Sequence, residues 1–224
     1  MKRILSLVLI LTTSLTFSQK SIEKEIGEFS ELKVYDLINV ELISSNKNKV
    51  VITGKNKDNV LINNKNGTLK IKMSLKEIFD GNETNIKLYY SKVDIIDVNE
   101  GANVFSDDTI KQFEIDLKAQ EGAKIKIPVN VTYANIKSVT GGSITVSGNA
   151  KSQNISIFSG GIYKGETLNT NTTEVAVRAA GEAYVNAKDV VDVKIRAGGD
   201  VFIYGNPKTV NENKALGGRV KRMQ

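Results

Sequence analysis

The feature that most constrains the fold of this chain is a glycine that recurs about every 20 residues through its C-terminal part. The recurring residues, aligned by their neighbours, are Gly101, Gly122, Gly142, Gly161, Gly181 and Gly199. The intervals between them are 21, 20, 19, 20 and 18 residues. Segments that alternate apolar and polar residues flank most of these glycines, as in Ile144 to Val146 and Ile155 to Ile157. Alternation with period two is typical of β-strands.

A period near 20 that is built from strands and turns, with no helical spacing, predicts a β-solenoid. Leucine-rich repeats have a similar period, but they need fixed Leu and Asn positions that are absent here. Ordinary hairpin turns of a β-sandwich are the alternative explanation, although irregular hairpins would not keep the interval five times. We expect glycine at each corner because a side chain there would clash with the coil above. We also expect Ile144, Ile155 and Val193 to be buried.

The chain divides into a signal segment and a single domain over residues 19–224. Within the domain, residues 28–92 predict antiparallel capping hairpins, because short alternating strands flank turn pairs such as Asn66-Gly67. Residues 93–205 contain the repeated coils, and residues 206–224 predict a C-terminal cap that begins near Pro207. The predicted fold class is therefore all-β: a parallel β-helix of about 20 residues per coil, preceded by N-terminal antiparallel hairpins.

The first 18 residues have the features of a secretory signal peptide. Lys2 and Arg3 are followed by an apolar stretch from Ile4 to Leu15, and then by small residues. The apolar stretch is too short to span about 30 Å of hydrocarbon as a helix. We therefore predict cleavage between Ser18 and Gln19. The mature chain is expected to have no integral membrane span and to reach the periplasm, the outer surface or the extracellular medium.

Composition excludes several classes of chemistry, because the chain contains no His, no Cys and no Trp. Without His and Cys there is no Ser-His-Asp or Cys-His nucleophile, no zinc site built on these residues and no disulfide. Without Lys2 and Arg3 the chain has 29 basic and 25 acidic residues, a net charge of +4. These charges are interspersed along the chain, whereas nucleic-acid-binding proteins concentrate basic residues in a patch. No nucleic-acid partner is expected.

Three stretches resemble a known bacterial family. Its first strands are similar to Phe29 to Leu42 and to Asn66 to Ile71, and its middle has the same glycine corners. Its closing signature is similar to Val201 to Pro207 followed by Gly217-Gly218. The chain resembles the putative auto-transporter adhesin, head GIN domain family over about residues 28 to 222. The resemblance implies a right-handed parallel β-helix exported by Gram-negative bacteria, without established catalytic residues. The corners at Gly101 and Gly122 depart from it, because they read Glu-Gly-Ala instead of Gly-Gly.

An enzyme with this composition would depend on carboxylates, Lys, Arg or Tyr. Asp107-Asp108 is the only adjacent acidic pair in the repeats, and neighbours in a strand point to opposite faces. The turn from Asp80 to Glu83 lacks the spacing of a known calcium loop. The charges of the last coils are expected to solubilise the surface; they are Arg178, Glu182, Lys194, Arg196 and Asp200. We predict no catalytic residue, no cofactor-binding residue, no cofactor and no metal ligand.

A row of aromatic residues is the candidate contact surface. If Ile162, Ala183 and Val201 face inward, then Tyr163, Tyr184 and Phe202 face outward on three successive coils. Stacked aromatics on adjacent strands stabilise a sheet, and exposed ones also mark interfaces. A structural ladder, a protein contact and a glycan contact therefore all stay open for this row.

These observations favour an exported, non-catalytic β-helix that acts as a cell-surface or periplasmic adhesion or binding module. The alternatives are a carbohydrate-active enzyme, similar to a polysaccharide lyase or hydrolase, and a purely structural envelope protein. Fold alone does not separate the three functions. The candidate partners are a glycan, a cell-surface protein or a second copy of the chain.

Overall fold

The computed structural model describes residues 21–223. The predicted signal peptide and its cleavage point lie outside the described residues. Strands make up 67% of the structure, and the only helical turn within residues 21–223 is a short 3-10 segment, Lys57–Asn59. The predicted all-β class is confirmed. Within the same range, no helix has the length and apolar character needed to cross a membrane.

Residues 21–223 form 17 strands that belong to one continuous sheet. In chain order, the strands are β1 (Ile22–Glu25), β2 (Glu31–Val34), β3 (Asn39–Ser44), β4 (Lys49–Gly54), β5 (Val60–Lys65), β6 (Thr68–Met73), β7 (Thr84–Tyr90), β8 (Ile95–Val98), β9 (Asn103–Phe105), β10 (Ile110–Ala119), β11 (Lys124–Val139), β12 (Ser143–Phe158), β13 (Ile162–Arg178), β14 (Glu182–Arg196), β15 (Asp200–Tyr204), β16 (Thr209–Ala215) and β17 (Arg219–Arg222).

The repeats form a parallel β-solenoid of about seven turns with roughly 19 residues per coil, as predicted. Each long strand from β11 to β14 begins on one side of a corner, bends, and ends at the next corner. Neighbouring coils pair in parallel, so that Ile136 lies beside Ile155 and Ile155 beside Val175. Because the register keeps inward positions above one another, the apolar side chains stack into a single core along the axis.

The predicted core residues are confirmed. Ile144 and Ile155 have no exposed surface, and only 1% of Val193 is exposed. Alternation places every second residue of a strand inside the coil, which is the reason that such positions can be identified from sequence.

The N-terminal region contributes both antiparallel pairs and parallel coils. Strands β4 and β5 pair antiparallel with β7 and β6, and β1 pairs antiparallel with β4. However, β6–β7 and β2–β3 also form two parallel layers of the solenoid. The β2–β3 layer lies between the β6–β7 layer and the β8–β9 layer, so stacking order differs from chain order. The antiparallel strands β4 and β5 cover the outer edge of the first layer.

The segment after Pro207, predicted as a cap, forms the last coil of the solenoid. Strands β16 and β17 pair in parallel with β14 and β15. The outer edge of this coil has exposed charged side chains, including Lys214, Lys221 and Arg222. Charged residues on an edge strand discourage pairing with another chain. The last coil is therefore protected by charge at its open edge.

The strand register corrects the alignment of the glycine corners by one residue in the first two coils. Lys124 pairs with Ser143, so Gly122 is equivalent to Gly141 and Ala123 is equivalent to Gly142. The sequence alignment of Gly122 with Gly142 was wrong. The corner has two positions that favour small residues, and an alignment on single glycines cannot distinguish them.

The two corner positions favour glycine for different reasons. At the first, Gly160 has a positive φ of 75° in open space, so its backbone conformation favours glycine. At the second, a Cβ on Gly161 would lie 2.3 Å from the carbonyl oxygen of Ser138 in the preceding coil. The expected clash with the neighbouring coil therefore applies mainly to the second position. Among the first-position glycines described, Gly101 is the exception, because a Cβ there would lie 2.5 Å from Leu37 Cδ2.

Candidate functional site

The three aromatic residues predicted to form an outward row do not all face outward, because Tyr163 points into the core. Tyr163 has no exposed surface and lies in register with Ile144 and Ala183. Its outward placement was wrong, and Ile162 occupies the outward position instead. Counted from the second corner position, Tyr163 is two residues after Gly161, as the inward Ala183 is two residues after Gly181. This spacing could have identified Tyr163 as buried, whereas the apolar character of Ile162 suggested the opposite phase.

Inside the solenoid, the Tyr163 hydroxyl is part of a buried polar chain. It donates a hydrogen bond of 2.7 Å to Gln153 Oε1, and Gln153 Nε2 donates one of 2.9 Å to Thr173 Oγ1. Gly165 leaves space for the ring, since a Cβ there would lie 2.3 Å from the Tyr163 hydroxyl oxygen. Burial raises the pKa of Tyr163, which keeps the phenol protonated as a donor. Tyr163 therefore has a structural role in the core.

Tyr184 and Phe202 remain on the outside as a stacked pair. Their ring centroids are 4.6 Å apart and their planes differ by 14°. Lys164 precedes them and Lys221 follows them at equivalent positions of the adjacent coils. The Tyr184 hydroxyl donates a 2.9 Å hydrogen bond to Glu182 Oε2, and this bond raises the pKa of Tyr184. We call these partly exposed rings, with Lys164 and Lys221, the aromatic surface.

An ion pair ties the last coil to the preceding one beside this surface. Arg219 Nε lies 2.9 Å from Asp200 Oδ1, and Arg219 Nη2 lies 2.5 Å from Asp200 Oδ2. This two-point contact lowers the pKa of Asp200. Such geometry is more specific than that of a single surface ion pair. Because Asp200 is engaged by Arg219, it contributes to the attachment of β17.

The charged residues of the last coils, expected only to solubilise the surface, lie on two different faces. Arg178 and Arg196 are adjacent before the corner, whereas Glu182 and Asp200 are adjacent after it. Arg178 lies 5.4 Å from the centroid of the Phe158 ring. The corner between the two pairs separates them, so they do not converge on one site.

The acidic turns have identifiable structural contacts. Asp107 and Asp108 lie in an exposed turn, where Asp108 Oδ2 accepts a 3.1 Å hydrogen bond from the Ser44 amide. Asp80 Oδ2 accepts a 2.9 Å hydrogen bond from Asn56 Nδ2. Within residues 21–223, no group of three or more acidic side chains is arranged to hold a metal ion.

The structure shows a second surface that the sequence reasoning missed. It follows the bend of each coil, where inward positions shift from Val131 to Ala134. Phe113 and Tyr133 are 67% and 41% exposed, and their rings meet edge to face with centroids 5.3 Å apart. Beside them is a groove of about 460 Å³. We call this surface the bend groove; its residues are Phe113, Tyr133, Asn135, Asn154, Glu174 and Asp192.

A sequence signal for the bend groove does exist. Phe113 and Tyr133 are 20 residues apart, which is close to the repeat period, just as Tyr184 and Phe202 are 18 apart. Side chains that are one repeat apart in sequence lie side by side on neighbouring coils. The groove nevertheless depends on where the coil bends, and alternation alone does not locate a bend.

Comparison with known proteins gives a family match and a fold match. A family model described as putative auto-transporter adhesin, head GIN domain, matches residues 28–207. A crystal structure described as a putative adhesin from Bacteroides fragilis NCTC 9343 has a TM-score of 0.82 and 17% identity. The similarity covers 91% of this chain and 96% of that chain.

Two further solved structures are similar over 92% of this chain and 96% of their own. One is described as a putative adhesin from Parabacteroides merdae ATCC 43184, with a TM-score of 0.67 and 14% identity. The other is described as a putative lipid binding protein from Parabacteroides distasonis ATCC 8503, with a TM-score of 0.67 and 16% identity. At these identities the similarity shows the fold alone. No curated protein matches the chain.

Proposed function

Because this chain belongs to the putative auto-transporter adhesin, head GIN domain family, we propose that it is an exported, non-catalytic adhesion or binding module. It acts at the cell surface or in the periplasm. The rigid solenoid holds side chains at fixed spacings on its outer faces, so binding requires no rearrangement of the backbone. The description of the family as a putative auto-transporter adhesin supports this assignment.

The observation that carries the proposal is the stacked pair Tyr184–Phe202. Two aromatic rings that are already stacked 4.6 Å apart present apolar area with little conformational entropy left to lose. Lys164 and Lys221 on either side, together with the Glu182 carboxylate that accepts from the Tyr184 hydroxyl, give the surface a charged border. Exposed aromatics with a polar border are typical of contact surfaces. We therefore assign adhesion to the aromatic surface, with a cell-surface protein as its partner.

The double variant Tyr184→Ala/Phe202→Ala is expected to stay folded and to lose adhesion. Both rings are outside the core, so their removal costs only cross-strand support of about 0.2–1 kcal/mol. Thermal melting measures the first outcome, and attachment of protein-coated beads to bacterial cells measures the second. Sedimentation velocity of both proteins tests whether a second copy is the partner. Phe113→Ala, an aromatic change on a different face, is the matched control and should keep attachment. Attachment equal to that of the wild type would support a purely structural envelope role instead.

Export is expected to produce a mature chain that begins at Gln19. Lys2, Arg3 and the following apolar stretch have the composition that the secretion machinery recognises. N-terminal sequencing of protein recovered from the periplasm or the medium checks this result. A chain that lacks residues 2–18 serves as the control and should stay in the cytoplasm. Exported protein that still begins with Met1 would contradict the proposal.

The second candidate function is that of a carbohydrate-active enzyme, and one observation favours it. Glu174 and Asp192 are neighbours on adjacent coils in the bend groove. Many glycosidases use two carboxyl groups on either side of the scissile bond, one of which is a buried acid with a raised pKa. Glu174 is exposed to solvent, which favours a non-catalytic role. Release of reducing ends from a polysaccharide, abolished by Glu174→Gln, would support the enzyme.

A further inference from the structure

We propose that the bend groove binds a linear, uncharged polysaccharide that lies along the axis of the solenoid. This inference goes beyond adhesion through the aromatic surface, because it concerns different strands and a different class of ligand. It follows from the register of the coils, which places polar side chains from six layers in one outward column. The column consists of Asp116, Asn135, Asn154, Glu174, Asp192 and Asn211.

The column has the length and direction of an extended polymer. Adjacent coils are about 4.8 Å apart, so its five intervals span roughly 24 Å. Asn135 lines both the groove of about 460 Å³ and a second one of about 520 Å³. The lining of the second groove includes Phe113, Asp116 and the ion pair Lys92–Asp94. A ligand with one repeating unit could therefore meet a similar side chain at each coil.

The middle of the column has polar groups that are free to bind a ligand. Near its first end, Asn135 Nδ2 donates 2.8 Å hydrogen bonds to Asp116 Oδ1 and to Glu114 Oε1. Between these contacts and the far end, Asn154 and Glu174 are exposed and have no hydrogen-bond partner among residues 21–223. An amide offers both a donor and an acceptor, and a carboxylate offers acceptors. This combination suits hydroxyl groups, which also donate and accept.

The aromatic pair provides the apolar part of the site. Phe113 and Tyr133 expose much of their rings next to the polar column, and the two rings contact each other edge to face. Binding sites for small polar ligands combine such apolar area with a few placed hydrogen-bonding groups. A sugar ring has a C–H face for the aromatic rings and hydroxyl groups at its edge for the column.

The charges of the column select against anionic polymers. Asp116, Glu174 and Asp192 are acidic, and the column contains no Lys or Arg. The nearest lysines on these strands are Lys118 and Lys137, which follow Asp116 and Asn135 by two residues and form a separate column nearer to the corner. Nucleic acids are bound through Lys and Arg contacts to phosphate, and a column of three carboxylates and three amides does not provide such contacts. An uncharged glycan avoids this repulsion.

The test is calorimetric titration of the mature protein with neutral oligosaccharides of two to eight hexose units. Probes are β-1,4-linked and β-1,3-linked glucose oligomers and β-1,4-linked mannose oligomers, with oligogalacturonate and single-stranded DNA as anionic comparisons. Affinity for at least one neutral series should rise with length until the oligomer spans the column. Tyr133→Ala and Asn154→Ala should each weaken binding about tenfold, whereas Asn149→Ala, an exposed change elsewhere on β12, should not.

Three results would overturn the inference: no binding of any neutral series, wild-type affinity of both groove variants, or preference for the anionic probes. Thermal melting confirms that the variants are folded, and Asn154 is exposed, so its replacement leaves the core intact. Failure of glycan binding at the bend groove can be distinguished from failure of adhesion through the aromatic surface. The Tyr184→Ala/Phe202→Ala variant should keep glycan binding while losing attachment to cells, and the groove variants should show the reverse.

Discussion

Replacing Ile155 with Asp is expected to lower the free energy of unfolding of the mature protein by about 3–5 kcal/mol, the cost of an uncompensated buried charge. Ile155 has no exposed surface and lies between Ile136 and Val175 in the stacked core. An aspartate there would lie between apolar side chains and would have no cation to pair with its charge. Because small proteins are stable by only about 5–15 kcal/mol, the loss should be easy to measure by urea denaturation.

Ser156→Asp is the matched control for this change. Ser156 is the next residue of β12, points outward and lies beside Lys137 of the preceding coil. A carboxylate at this position is hydrated and near a cation, so its effect should stay within about 0.5 kcal/mol. If the two variants had equal denaturation midpoints, the assignment of inward and outward positions on this strand would be incorrect.

The second large effect is expected for Tyr163→Ala, which should cost about 3–5 kcal/mol, the range for truncation of a buried aromatic residue. The ring fills the interior between Ile144 and Ala183, and its removal leaves a cavity and deprives Gln153 of a hydrogen-bond donor. Thermal melting compares this variant with Tyr184→Ala, which removes the same side chain from the outside of the neighbouring coil. Only the Tyr163 variant should melt at a much lower temperature.

The variant Tyr163→Phe separates the two contributions of the side chain. It keeps the ring in place and removes the hydroxyl, which donates a 2.7 Å hydrogen bond to Gln153 Oε1. A buried acceptor without its partner costs about 1–3 kcal/mol. Stability equal to that of the wild type would mean that Gln153 finds another donor, and an unchanged melt for Tyr163→Ala would place the residue on the surface.

The position of Tyr163 shows how sequence reasoning can choose the wrong phase. Hydrophobicity favoured Ile162 as the inward residue, whereas the distance from the corner favoured Tyr163. In a coil, the corner sets the phase, because the strand that follows must start from a fixed backbone position. The buried partners Gln153 and Thr173 then make a polar tip tolerable inside the core. These partners are on other segments of the chain, so local sequence does not show them.

The sequence by itself determined the solenoid and most of its core. Corner glycines at a regular interval, together with alternating strands, indicate coils that bury their apolar residues inside. The burial of Ile144, Ile155 and Val193 was predicted from this pattern. Positive φ at the first corner position and alternation within a strand are local effects. The close contact at the second position is with the preceding coil, and it appears in the sequence as a regular glycine interval because each coil repeats the same corner.

Only the tertiary structure decided which strands pair and which surfaces result. The β2–β3 layer lies between layers that come later in the chain, because alternating strands fit parallel and antiparallel partners equally well. The bend groove depends on the same long-range register. Asn135, Asn154 and Glu174 are about 20 residues apart in sequence, and they form one column only because neighbouring coils stack with these positions in line.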